Sequence, residues 1–234
     1  MKKNLQAVII FSMIFLSSNV FGQTITVKPE QTKIQENSSN TYFDLLLNLV
    51  GTNLNYGKSN AALRDYKKAV LGAQVGMSFQ AGLTSQLSVV SEFYFMMKGG
   101  ELKVNNPLTT NKTTLRLYTL ELPVLVRYNV GKFYLNAGPS IAYNLMGDKK
   151  IADVSKSVSF NDATDNFKRW DAGIQMGAGY RFKIRQKSVV LDARYSYGLT
   201  NISYGQEMYN RNLNVSLHFS KAWKSNPIGL YKNL

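Results

Sequence analysis

The chain has 234 residues, a formal charge of +14, one histidine and no cysteine. That excludes a disulfide framework, a lipid-attachment cysteine and thiolate metal sites, and leaves little but carboxylates as metal ligands. Nucleic acid is not the expected partner of the positive charge, because Lys and Arg are scattered and no recognition motif is present; anionic lipid head groups or acidic surface sugars suit it better by simple charge complementarity.

The first residues read as an export signal. Lys2 and Lys3 precede a mostly apolar run from Leu5 to Leu16, too short to span a bilayer as a helix, and Val20 and Gly22 are small residues at the −3 and −1 positions. Cleavage is expected between Gly22 and Gln23, giving a leader over 1–22. The polar stretch that follows at once argues against an uncleaved anchor helix. Residues 23–40 lack periodicity and are expected to be a flexible periplasmic lead-in, ahead of a folded region over 41–220 and a tail over 221–234.

The folded region alternates. A first strand near Tyr42–Thr52 puts Phe43, Leu45, Leu47 and Leu49 on one face, although Leu46 and Val50 blur the pattern. A second, near Val70–Ala81, alternates Leu71, Ala73, Val75, Met77 and Phe79 with Gly72, Gln74, Gly76, Ser78 and Gln80. A third, near Gln86–Lys98, sets Leu87, Val89, Phe93, Phe95 and Met97 against Ser88, Glu92 and Tyr94. The clearest pair spans Thr114–Leu145, two long strands joined by NVGK. Three more follow near Lys168–Phe182, Val189–Leu199 and Arg211–Phe219, each with large apolar side chains on one face and polar, charged or small ones on the other. Period-two alternation over such lengths describes a sheet with two unlike sides.

Eight strands is an even number, as closure of a bacterial barrel requires. The connections carry a second signal. GLTS, NVGK and KIRQKS are short, whereas those around 53–69, 99–113, 146–167 and 200–210 are long, and the two kinds alternate. The expected fold is therefore all-β: an eight-stranded antiparallel up-and-down transmembrane β-barrel, integral to the bacterial outer membrane, with both termini periplasmic. A soluble barrel would carry a polar outer face. The mean hydropathy of −0.19 does not conflict, since half of each strand faces a polar lumen. Arg116 and Arg211 share the outward parity but fall at strand ends, where long side chains can reach head groups.

Strand parity points Glu92, Glu121, Arg127, Asp171, Arg181, Asp192, Arg194 and His218 into the lumen. The KIRQKS turn pairs Phe182 roughly with Val189, which sets Gly177 and Gly179 opposite Arg194 and Asp192. Small residues beside large charged ones fill a narrow lumen, and eight strands leave room for little more than side chains. A structural plug of paired charges is the favoured reading; an ion path is the other. His218, with Ser216 and Ser220 on the same parity and Asp192 nearby, assembles the parts of an activated nucleophile. A strand-borne Ser has no amide cradle, however, and the parity turns His218 away from lipid. A hydrogen-bonded lumenal His is expected. GAGYRF is no dinucleotide fingerprint, because no helix follows it. No catalytic residue, cofactor or metal is expected.

LELPVLVRY (Leu120–Tyr128), NAGPSIAY (Asn136–Tyr143), DAGIQMGAGYRF (Asp171–Phe182) and LDARYSYGLTNI (Leu191–Ile202) together resemble the PorT-like outer-membrane β-barrel family. The resemblance implies an eight-stranded barrel in the outer membrane. The family's namesake is tied to export of secreted proteins, while most members have no assigned activity. One departure is at the end, where barrels usually finish on an aromatic: here SKAWKSNPIGLYKNL follows Phe219. Either Trp223 extends the last strand or the tail is a periplasmic extension. His218-Phe219-Ser220 also resembles the His-x-Ser pair of outer-membrane lipid A deacylases, but Lys221 stands where that family has Asn. The expected role is non-enzymatic: structural, adhesive or assembly-partner, with outer-membrane lipid and a periplasmic or surface protein as partners. A small pore is the first alternative and a lipid A-modifying enzyme the second.

Overall fold

The computed structural model describes residues 42–222, apart from 85, 162, 164, 165, 185 and 186. The expected cleavage at Gly22–Gln23, the lead-in over 23–40 and Trp223 lie outside the described residues. Among the described residues ten strands occur in chain order: β1 (Tyr42–Tyr56), β2 (Lys67–Lys68), β3 (Val70–Gly82), β4 (Leu87–Leu102), β5 (Thr113–Val130), β6 (Phe133–Ile151), β7 (Val154–Ser157), β8 (Trp170–Ile184), β9 (Lys187–Gly198) and β10 (Met208–Ala222). A 3₁₀ segment, Lys58–Tyr66, follows β1.

Eight of these strands form a closed antiparallel ring. Each neighbour in the order β1, β3, β4, β5, β6, β8, β9, β10 pairs with the next, and β10 returns to β1. Closure leaves no strand at a free sheet edge, the condition a sheet must meet to sit in an apolar medium; the closing β1–β10 seam is paired at Tyr42 and Phe43 and again from Leu49 to Tyr56, with the five rungs between them open. The short strands stand outside the ring, β2 against β4 and β7 against β6. Rungs are missing beside Pro123 and Pro139, which have no N–H to donate.

Hydrophobicity is inverted relative to a soluble domain. Leu45 is 79% exposed and Leu47 81%, and the outward positions of β3, β5, β6 and β10 are likewise open. The buried positions are largely polar: Asn48, Gln74, Gln80, Glu92, Glu121, Asn136, Gln175, Asp192 and Arg194. Leu46 and Val50, which blur the alternation of β1, are lumenal and pack with Tyr94 and Met96. Aromatic side chains gather at both outer rims: Phe133, Tyr180 and Phe182 pack edge to face near the short turns, and Tyr143 and Trp170 do so near the long loops.

The strands run further than the alternation indicates. β1 reaches Tyr56 instead of Thr52, β4 reaches Leu102 instead of Lys98, β6 reaches Ile151 instead of Leu145, and β10 begins at Met208 instead of Arg211. At the long-loop end the inward face turns apolar, so the contrast between the two sides fades while the hydrogen-bonded ladder continues. In β6 a bulge adds to this: Tyr118 pairs with Met146 and Thr119 with Asn144, so Leu145 is extra and the parity flips. Gly131 opens the two-residue turn between β5 and β6 with φ +62, which a side chain would resist.

Candidate functional site

Two layers fill the inside of the barrel. The first lies at mid-height and is ionic. Arg194 on β9 donates from Nη1 to Glu92 Oε2 at 2.6 Å and from Nη2 to Glu92 Oε1 at 3.1 Å, a two-pronged pair reaching across to β4. Asp192 lies 3.6 Å from the same guanidinium. Lys98 Nζ is 2.6 Å from Glu121 Oε2 and 3.6 Å from Asp171 Oδ2. Gln175 joins the two clusters. Its amide donates to Glu121 Oε1 at 2.7 Å and to the Tyr94 hydroxyl at 2.8 Å, and its carbonyl lies 3.4 Å from Arg194 Nη1. Each charge is buried, and each has an opposite charge within reach, which is the condition under which burial of ions is tolerated.

Toward the short turns the network continues through Tyr134. Its hydroxyl donates to Asp192 Oδ2 at 2.5 Å, and Asn136 Nδ2 lies 3.4 Å from the same oxygen. Arg127 lies over the Tyr134 ring, 4.0 Å from its centre, and donates to Gln80 Oε1 at 2.7 Å. Gly179 opposes Asp192 and makes room for the Tyr134 ring, which would overlap any Cβ there. Toward the long loops Asp171 accepts from Asn210 Nδ2 at 2.7 Å and from the Thr200 hydroxyl at 2.8 Å.

The second layer caps the long-loop end and is apolar. Leu54, Tyr56, Leu102, Leu115, Leu117 and Met208 from the strands pack with Leu63, Phe167 and Ile202 from the connections. Glu207 ties two connections together. Its carboxylate accepts from the Ser59 amide at 3.1 Å, the Ser59 hydroxyl at 2.9 Å and the Tyr209 hydroxyl at 3.1 Å, while its own amide donates to Asn60 Oδ1 at 2.7 Å. The Ser59 amide and hydroxyl, with Tyr209, hold the Glu207 carboxyl below the usual carboxylate range. The two cavities at these layers are small: about 10 Å³ beside Lys98 and Asp171, and about 30 Å³ beneath Phe167 and Met208. The first is the size of a single water site and the second little more.

The sequence-predicted lumenal residues divide. Glu92, Glu121, Asp171, Asp192 and Arg194 are drawn into one hydrogen-bonded system. Arg127 sits at its edge, half-buried, and Arg181 lies half-buried nearer the short turns. Gly177 and Gly179 oppose Arg194 and Asp192, and Phe182 pairs with Val189, as the turn length suggested. Glu121 pairs with Lys98, which is not among the sequence-predicted lumenal residues but shares the parity of Glu92 and Tyr94 at the end of the third predicted strand. For His218 the backbone register sets it opposite Val190, while Ser216 stands opposite Asp192; the His218 side chain is outside the described structure. Asp192 already serves Tyr134, Asn136 and Arg194.

Among solved structures the chain is similar to Ail, the attachment invasion locus protein of Yersinia pestis, solved with the heparin analogue sucrose octasulfate, at 10% identity, 78% coverage of this chain and 99% of that one, and a TM-score of 0.42. Neisserial surface protein A gives 10% identity, 79% and 98% coverage, and a TM-score of 0.44. The outer membrane protein AlkL, solved in lipid bilayers, gives 11% identity, 88% and 99% coverage, and 0.32. The architecture rests on the strand pairing described above, not on these distant likenesses. No curated protein matches the sequence. The sequence model of the outer membrane protein beta-barrel domain matches residues 29–204, well over half of the chain, and the chain belongs to that family of bacterial outer-membrane barrels.

Proposed function

We propose that the barrel is a non-conducting, non-enzymatic scaffold whose working surface is the basic long-loop end, in an adhesive or assembly-partner role. The long loops face the cell exterior and both termini the periplasm, the arrangement usual for barrels with short turns at one end and long loops at the other. The observation that carries the reading is the doubly blocked lumen: the Arg194–Glu92 and Lys98–Glu121 pairs fill its middle, and the Leu117–Phe167–Ile202 cluster fills its mouth. A barrel closed in this way offers its loops rather than its interior. Exposed Lys58, Lys103, Lys149 and Lys156 at that end favour an acidic partner, either surface sugar or the acidic face of a protein. The motifs of β5, β6, β8 and β9 support a place near the PorT-like members of the family.

Single-channel recording in a planar bilayer tests the reading. The expected trace is flat; stepwise conductance would favour the small pore. Topology is tested by cysteines at Leu108 and Ser157, both exposed, which should react with an impermeant reagent on intact cells, while one at Thr84 should not. The lipid A-modifying reading finds no support in Asp192, whose carboxylate is engaged by Tyr134 and Arg194. An ester-release assay on outer-membrane lipid, comparing wild type with His218→Ala, should give no difference.

A further inference from the structure

The described aromatic side chains at the two outer rims have different neighbours. Near the short turns the outward aromatics Phe133, Tyr180 and Phe182 pack on one another. Near the long loops they carry guanidinium groups. Arg211 lies 3.5 Å above the Tyr197 ring, and its Nη1 donates to the carbonyls of Gly198 at 2.8 Å and Asn210 at 2.7 Å. Arg169, exposed, lies 4.4 Å above Phe160 and 5.7 Å from Tyr143, and its Nη1 donates to the carbonyls of Asn144 at 3.0 Å and Leu145 at 2.9 Å.

Neither arginine has a carboxylate within 4.0 Å among the described residues. Near Arg211 the Glu207 carboxylate is occupied by Ser59 and Tyr209. Beside Arg169, Asp171 turns inward to Lys98. Arg116 on the same rim is different, because Asp148 stands opposite it on β6. Backbone carbonyls hold one Nη of each guanidinium, and an aromatic ring lies against each group. The remaining edge, Nε and Nη2, keeps the geometry that grips two oxygens of a phosphate. Both sites border the apolar wall, next to Trp170 and Tyr197, at the height where a lipid head group begins.

We infer that Arg169 and Arg211 are clamps for the phosphate of an anionic lipid in the leaflet at the long-loop end. This deepens the proposed function and takes from it the assignment of that leaflet to the cell exterior. The carbonyl and ring contacts hold each head group in place before a lipid arrives, so little ordering remains to be done on binding.

The test is lipid retention by the purified full-length barrel in neutral detergent, read by native mass spectrometry. The probes are bisphosphorylated lipid A, the same lipid with its phosphates removed, and inorganic phosphate as competitor. Wild type should retain the phosphorylated lipid at least about tenfold better than Arg169→Gln/Arg211→Gln, and should release the dephosphorylated lipid. The variant's heat-modifiable migration shows whether it is folded. A control, Lys68→Gln/Lys112→Gln, removes the same charge from exposed lysines that already neighbour Glu101, and should retain lipid like wild type. Equal retention by the arginine variant, equal retention of dephosphorylated lipid, or an equal loss in the lysine control would overturn the inference. Full competition by equimolar inorganic phosphate would mark a free-anion site and overturn it too. Retention in detergent does not depend on which way the barrel points, so cysteine labelling of the loops fails or succeeds separately.

Discussion

The middle of the lumen and its mouth solve the same filling problem in opposite ways. At mid-height, Arg194, Glu92, Lys98, Glu121, Asp171 and Gln175 fill the space with charges that satisfy one another. At the mouth, Leu54, Leu115, Leu117, Phe167 and Ile202 fill it with apolar packing. The middle is enclosed by strands alone, whose inward residues are fixed by the ladder, so ionic partners can be set at defined heights. The mouth is closed by connections that must fold back over the strand ends. Non-directional apolar burial tolerates their less regular geometry. Ionic filling gives register, and apolar filling gives closure.

Breaking the ionic layer should cost most. Arg194→Leu leaves the Glu92 carboxylate buried without its two-pronged partner, a loss of about 3–5 kcal/mol, read as a lower midpoint in urea unfolding of the lipid-reconstituted barrel. An unchanged midpoint would mean the pair is solvated. Lys98→Met should act similarly through Glu121 and Asp171, and the two effects should not add, because Gln175 links both clusters.

Breaking the apolar layer should cost somewhat less and act elsewhere. Ile202→Ala, at a position with no exposure, should destabilise by about 2–4 kcal/mol and speed protease nicking of the long loops before the barrel itself unfolds. Nicking and unfolding that rise together would show cap and barrel to be one cooperative unit. Gly179→Ala sharpens the other side of the comparison. Its Cβ would push the Tyr134 ring off Asp192, for about 1–3 kcal/mol, without changing loop protection.

The smallest effect concerns the Glu207 tie. Its pKa is depressed in the folded protein by the Ser59 and Tyr209 donors, so the tie is fully present above the ordinary carboxylate range and weakens as pH falls through the depressed value. The protection of the Ser59 amide, its exchange rate relative to the intrinsic rate at each pH, should fall at acid pH in the wild type. In Glu207→Gln that protection should already be low at neutral pH and should not fall further with acid.

Much of this was legible in the sequence. Alternation alone separates Leu45, Leu47, Val124 and Leu213 from Asn48, Glu121 and Asn212, because a strand has a strict period of two and the two sides of this sheet meet opposite media. Alternating connection lengths set strand count and order, since each hairpin joins neighbours. The pairing of Gly177 with Arg194 follows from one short turn, where register is a matter of counting. Tertiary structure decided what counting could not reach. Which charge meets which across the lumen depends on barrel shear, so Glu121 meets Lys98 while Glu92 meets Arg194. Strand ends depend on the cap, because Leu54, Leu102 and Leu115 read as broken alternation until Phe167 and Ile202 come down on them from distant connections. The rim arginines depend on register across long connections: Arg211 on β10 meets Tyr197 on β9, and Arg169 meets the carbonyls at the end of β6, only once the 199–207 and 152–169 segments have set the pairing. Sequence period fixes the face of each side chain, and only the closed barrel fixes its partner.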